Sequence, residues 1–198
     1  MAPPMQPLRK TPNKNDMDTR ALLIEAAARE FRLGGYSGTD SNRIARRAGF
    51  APQTFYRWFK DKREIFLAVY RRWEDEERQV LAPLMAPEAP SPRAPRMVEA
   101  IVRHHRAYRI FRRSLRALSL EDLAVRRARG HSRLRQIEQI RRQVGAPEGR
   151  TSEIAATLLE IERLADAVAE AELADMGLDD AALWTELAAL MRRLAASR

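Results

Sequence analysis

The sequence predicts an all-α protein, and three observations carry that expectation. Apolar residues recur at three- and four-residue spacing from about Asp18 to the C-terminal end. No run alternates β-branched and polar residues in the manner of a half-buried strand. The breaks in the pattern coincide with glycine- and proline-bearing stretches, which end helices. The organisation that follows is a flexible arm over residues 1–15, a small helical domain over 16–62, and a larger helical domain over 63–198. A proline-rich linker lies at 82–96.

The elements follow in order. Residues 1–15 are proline-rich and polar, with no apolar period. Leu23, Ile24, Ala27 and Phe31 fall on one helical face behind Asp18, the expected N-cap, and this helix stops at Gly34-Gly35. A short second helix starts after Thr39 or Asp40, buries Ile44, Ala45 and Ala48, and ends at Gly49. A third starts at Pro52, where the missing N–H costs nothing, and runs through Phe59. Asp61-Lys-Arg-Glu64 reads as a capping box for a fourth helix, which turns Ile65, Phe66, Val69, Tyr70 and Trp73 inward to about Leu81. Five prolines between Ala82 and Arg96 then argue against continuous helix. Beyond them the helical period resumes, with breaks expected near Gly130, Gly145–Gly149 and Gly177.

Composition removes several classes of function. With no cysteine among 198 residues, disulfide scaffolds, zinc fingers and thiolate nucleophiles are out. No apolar run reaches the ~18 residues of a membrane span, and the start lacks the basic and apolar regions of a secretion signal. The expected location is therefore cytoplasmic, without a membrane partner. Charge is uneven: residues 1–73 carry 15 basic and 7 acidic groups, residues 96–142 carry 14 and 4, and residues 148–198 carry 5 and 11. A basic N-terminal third is the footprint expected of a nucleic-acid binder. An arginine-rich habit would look the same, because lysine occurs only at positions 10, 14, 60 and 62.

The second and third helices, joined at Ala48-Gly49-Phe50-Ala51, have the layout of a helix-turn-helix. At 100° per residue, Gln53, Tyr56, Arg57 and Lys60 share one arc, with Phe55, Trp58 and Phe59 across from it. The aromatics anchor the helix and leave the polar arc for a groove. Gln53 and Arg57 suit base edges, and Thr54 suits a base methyl or a phosphate. Tyr56 and Lys60 suit phosphate oxygens. Thr39 and Arg43, at the start of the second helix, and Lys62, in the first turn of the fourth, complete the expected DNA-contacting set.

At these residues a resemblance becomes specific. Thr19-Arg20, Ala26-Ala27, Phe31, Gly35-Tyr36, Thr39, Ile44-Ala45, Ala48-Gly49, Thr54-Phe55-Tyr56, Phe59 and Lys62 stand in the order and spacing of the TetR family of transcriptional regulators. The likeness covers residues 17–70, with 39–58 as the recognition motif. Ser41, Asp40 and Ala51 depart from the usual apolar residue, threonine and serine cap. The resemblance implies about nine helices in a homodimer whose N-terminal domains bind a palindromic double-stranded operator. The C-terminal domains bind a small molecule and dimerise, and ligand binding respaces the recognition helices. Repression is the expected mode, no cofactor is expected, and the protein is not expected to be an enzyme.

In the C-terminal part, Met97, Ile101, Tyr108, Phe111, Leu115 and Leu118 make one helical stripe that His104 shares. The resemblance offers His104, Tyr108 and Phe111 as effector contacts, although a histidine on an apolar stripe is more often a core residue. His104-His105 is a poor metal pair, because adjacent helical residues diverge by ~100°. The basic block at 96–142 reads first as solvated surface, second as an attractor for an anionic effector, and third as a partner for the acidic block. Ile154, Leu158, Ile161, Ala165 and Val168 form one further stripe, and Leu183, Leu187, Leu190, Met191 and Leu194 another. From these, Leu158, Ile161, Ala165, Leu187, Leu190, Met191 and Leu194 are expected at a dimer interface. Two rivals stand beside this reading. One is a basic helical protein that binds nucleic acid or membrane surfaces without sequence preference. The other is an enzyme on a helical scaffold, although Gly34-Gly-Tyr-Ser-Gly38 lacks the lysine of a phosphate loop and no HExxH or GxSxG occurs.

Overall fold

A computed structural model describes the backbone of residues 14–85 and 93–196. Among them the chain is helical throughout and contains no strand. Nine α-helices run in order: α1 Lys14–Gly34, α2 Ser41–Arg47, α3 Pro52–Trp58, α4 Lys62–Met85, α5 Arg93–Ala107, α6 Arg109–Glu121, α7 Leu123–Val144, α8 Thr151–Glu170 and α9 Ala181–Ala195. The expected arm and the middle of the expected linker, residues 86–92, lie outside the described residues.

Most local signals act where the chemistry puts them. Asp40 caps α2, accepting from the Arg43 N–H at 2.8 Å, and Pro52 opens α3 without a side-chain cap on Ala51. Asp61 accepts from the Glu64 N–H at 2.8 Å. Glu64 in turn accepts from the Lys60 N–H at 2.7 Å, so the box closes one residue earlier than its simplest form. Gly145 ends α7 at φ 68°, and Asp179 accepts from the Ala181 N–H at the start of α9.

Four expectations are corrected. Asp18 lies inside α1, which begins at Lys14. Helix α4 continues through Pro83 to Met85, and α5 begins at Arg93 with Pro95 in its first turn; a proline near a helix start forfeits no hydrogen bond. Gly130 does not break α7. The stripe from Met97 to Leu118 is two helices, because the chain leaves helical geometry at Tyr108 (φ −117°, ψ 16°).

That break divides one apolar face between two cores. Val98, Ile101 and Val102 enter a C-terminal core with α7, α8 and α9. Tyr108, Phe111 and Leu115 enter the N-terminal core with α1 to α4. The first core is aromatic: Phe66 meets Phe31 edge-on at 5.1 Å and Phe111 at 4.8 Å, joining α1, α4 and α6. Packing therefore does not divide at residue 62, since α4 and α6, both beyond it, pack into the N-terminal core. The α1–α2 loop seats on α6 as well, where the Tyr36 N–H donates to Ser114 Oγ at 2.9 Å. A Cβ on Gly35 would stand 2.7 Å from that oxygen, and its φ of +66° also suits glycine.

Candidate nucleic-acid interface and cavity

Helix α3 has the two faces its sequence predicts. Phe55 and Phe59 are fully buried and Trp58 is half-buried against the same core. Gln53, Arg57 and Lys60 are exposed, Tyr56 is 57% exposed, and Thr54 is half-buried. Helix α2 crosses beside it, and the Tyr56 hydroxyl meets Ser41 Oγ at 2.7 Å. The polar Ser41 thus ties the two helices together through the phenol. Arg46, Arg57 and Lys60 form no ion pair among the described residues. The outer edge of α2 and α3 is an exposed, unneutralised cationic surface, as phosphate binding requires.

Three members of the expected contact set act instead as supports. Thr39 is buried, and its hydroxyl donates to Glu30 at 3.1 Å. Arg43 Nε meets the same oxygen, Glu30 Oε2, at 2.7 Å, and Arg47 bonds Glu30 Oε1. Lys62 Nζ donates to the carbonyls of Tyr36 and Thr39 at 2.9 and 3.0 Å and sits 4.2 Å from the Tyr36 ring centroid. Burial lowers its pKa. Buried donors and acceptors must find partners, and here Glu30 of α1 and two carbonyls of the α1–α2 loop supply them. Glu30 was missed by sequence reasoning, although it left a signal. It falls seven residues after Leu23 and three after Ala27, a charge on an otherwise apolar face.

Helices α4 to α9 line a cavity of about 400 Å³. Its apolar wall includes Trp73, Leu81, Ile101, Leu158 and Met191, and its polar wall includes Glu74, Glu77, His105, Arg112 and Arg133. The volume falls in the range of small-molecule sites. His104, Tyr108 and Phe111 do not line it, which corrects their placement. His104 stacks on Trp73 at 5.3 Å with Nε2 3.2 Å from the Trp73 carbonyl, Phe111 is fully buried in the N-terminal core, and the Tyr108 hydroxyl is bound to Glu76. Burial raises the Tyr108 phenol to about 12. The break before α6 turns Tyr108 and Phe111 away, and on α5 His104 points about 100° from His105, which faces the cavity.

Behind the cavity the basic and acidic blocks meet within one subunit, the third of the readings open at the sequence level. Arg112, fully buried, donates to Asp166 Oδ1 at 2.6 Å, to Asp166 Oδ2 at 3.1 Å and to Glu162 at 3.1 Å. Arg129 and Arg133 also bind Glu162, and Arg116 binds Asp166 and Glu170. His105 lies between Asp166 at 2.9 Å and Glu77 at 3.3 Å. Burial alone would raise the Glu162 carboxyl, but three guanidinium groups outweigh it and hold it at about 2. Asp166 is likewise raised by burial and brought below its ordinary value by His105 and Arg112.

The expected dimer residues are also relocated. Ile161, Ala165, Leu187, Leu190, Met191 and Leu194 are buried in the chain's own C-terminal core, and Leu158 lines the cavity. One face of α8 packs on α5 and α9, so its apolar stripe is already covered. The outward faces of α8 and α9 carry Ala156, Leu159, Arg163, Ala182, Thr185 and Glu186.

A short three-helix unit with an exposed polar third helix has the architecture of a helix-turn-helix domain. Residues 23–69 match the model of the bacterial regulatory proteins of the tetR family. Two relatives from Bacillus subtilis (strain 168) are similar in sequence. One is the uncharacterized HTH-type transcriptional regulator YhgD, 31% identical over 37% of this chain and 39% of its own length. The other is the uncharacterized HTH-type transcriptional regulator YdgC, 29% identical over 35% of each. The matched stretch therefore spans little more than a third of either relative. A solved structure assigned to the TetR family, from Rhodococcus sp., aligns over 90% of this chain and 99% of its own at TM-score 0.72 and 16% identity. Salmonella enterica GusR aligns over 96% and 99% at TM-score 0.64 and 17% identity. At such identities the likeness shows the fold, which reaches through the C-terminal helices. Among the described residues, no helix is long and apolar enough to cross a membrane.

Proposed function

We propose that this protein is a transcriptional regulator of that family, which binds a palindromic operator as a homodimer, represses transcription there, and leaves the DNA when a small molecule occupies the α4–α9 cavity. Gln53 and Arg57 read base edges, while Tyr56, Lys60 and Arg46 hold phosphates. Arg43 reaches DNA only by leaving Glu30. The outward faces of α8 and α9 form the subunit contact.

One observation carries the proposal: α4 is a single helix from Lys62, which braces the α1–α2 loop, to the cavity wall at Tyr70 through Ala82. At 1.5 Å per residue its 24 residues span ~36 Å. A tilt imposed at the cavity end is delivered to the recognition helices as a rigid displacement. Two such helices must match half-sites about one helical turn apart, ~34–36 Å, so a small change in spacing disturbs both contacts together. Selection of bound duplexes from a random pool, followed by footprinting, tests the reading. A protected palindrome with two equal half-sites supports it. Protection without sequence preference would replace it with the nonspecific binder.

A further inference from the structure

The wall of the cavity is not evenly neutralised. Three of the four arginines that line it hold a carboxylate other than Glu74. Arg112 is held by Asp166 and Glu162, Arg133 by Glu162, and Arg78 by Asp75 at 2.8 Å. On the acidic side, Glu77 faces His105. Glu74 is different. Its near neighbours are hydroxyls, Ser132 donating from α7 and Tyr70 from one turn earlier on α4. The nearest cation is Arg135, 3.9 Å away, with its side chain 64% exposed and its charge largely given to solvent. Glu74 itself is mostly buried, and burial pushes its carboxyl up to about 7. A carboxylate removed from water without a close cation is costly unless something neutralises it. Beside it, the Trp73 indole N–H is buried and has no hydrogen-bond partner among the described residues. The wall therefore carries one carboxyl whose ion-pair partner, among the described residues, is a solvent-exposed arginine, and one indole donor without a hydrogen-bond partner among them.

We infer that the cavity takes a lipophilic organic cation, with its charge against Glu74 and its apolar body along Leu81, Ile101, Leu158 and Met191. The inference rests on the reading of this cavity as the effector site and names the class of effector. It reverses the anionic effector that the arginine-rich block suggests in the sequence, because Arg112, buried at the wall, and Arg133, half-buried there, already hold carboxylates. An anion would have to displace Glu162 or Asp166 from them, whereas a cation at Glu74 competes only with the exposed Arg135. Any acceptor the ligand carries near its charge can take the free Trp73 N–H.

The test is equilibrium dialysis of the full-length protein against tetraphenylphosphonium and tetraphenylborate, two four-phenyl ions of like shape and opposite charge. Their hydration differs, so the quantity read is the ratio of the two affinities and its change between variants. Glu74→Gln is expected to lower the phosphonium-to-borate ratio at least about tenfold, the effect of one ion pair in a partly dry site. Arg135→Ala, which removes the nearest cation, is expected to raise it. An unchanged ratio in Glu74→Gln overturns the assignment, and so does a failure of phosphonium to bind at all. Should Glu74→Gln fail to fold in a thermal melt, Arg135→Ala decides alone, and a ratio that stays level or falls overturns the assignment. Footprinting without either ion keeps the two readings separate. A protected palindrome with an unshifted ratio sinks the cation and leaves the regulator. A shifted ratio without a palindrome does the reverse.

Discussion

Arg57 on the recognition helix and Lys60 just past its end are both exposed, yet their chemistry separates them. A guanidinium presents a planar fork that fits guanine, while an ammonium is a point charge suited to phosphate. Arg57→Ala is expected to weaken selected duplexes by about 1–3 kcal/mol and to relax preference at one base position. Lys60→Ala is expected to weaken all duplexes alike and reduce the salt slope by about one, as titrations at several ionic strengths would show. The two buried glutamates of the cavity region make opposite demands on pH. Glu162 sits at about 2, below the ordinary 4.5, so its contribution is present above pH 4.5 and is lost as pH falls toward 2. Glu74 sits at about 7, so the folded state binds the extra proton and stability declines as pH rises from 4.5 to 7. In urea titrations, Glu162→Gln is expected to flatten the acid limb, and Glu74→Gln to remove the decline toward neutrality.

At the scale of elements, the seat of the α1–α2 loop on α6 and the outer face of α8 matter most. Gly35→Ala places a Cβ against Ser114 Oγ in a left-handed backbone, whose intrinsic cost is about 1–2 kcal/mol for an L-residue. The expected result is a lower urea midpoint together with weaker DNA binding, because that loop carries Thr39 and receives Lys62. A lost midpoint with unchanged DNA affinity would show the loop to be merely structural. Leu159 is 48% exposed on α8, unlike the buried positions on the same helix. Leu159→Glu is expected to shift the protein toward monomer in light scattering without lowering its melting temperature. Leu190→Ala, by contrast, opens the subunit core and is expected to cost about 2–5 kcal/mol.

For the whole molecule, the two ends of α4 define two sites joined by one rigid element. Coupling between binding sites is reciprocal. If tetraphenylphosphonium lowers operator affinity by some factor, saturating operator must lower phosphonium affinity by the same factor. Paired titrations check this directly, and unequal factors would mean that the ion acts somewhere other than through the free and bound states of one regulator. The second core around α5, α8 and α9 holds the cavity open between packed helices, so a filled cavity and an empty one are alternative packings rather than a soft deformation.

Much of this was legible in the order of residues. The all-α class, the short α2–α3 pair, the proline start of α3 and its inward Phe55 and Phe59 all follow from periodicity and caps, which act within a few residues. What no local rule could supply was which partner each polar side chain would find. Thr39, Arg43 and Lys62 look like DNA contacts until Glu30 and two carbonyls are folded against them. His105, rather than His104, faces the cavity because adjacent residues of α5 point about 100° apart and only one of them can meet α8. The arginines of α6 and α7 look free until α8 brings Glu162 and Asp166 beside them, fifty residues away for Arg112. Burial decides such pairings, since taking a charge out of water makes the nearest opposite charge obligatory, and nearness between distant segments is a property of the tertiary fold.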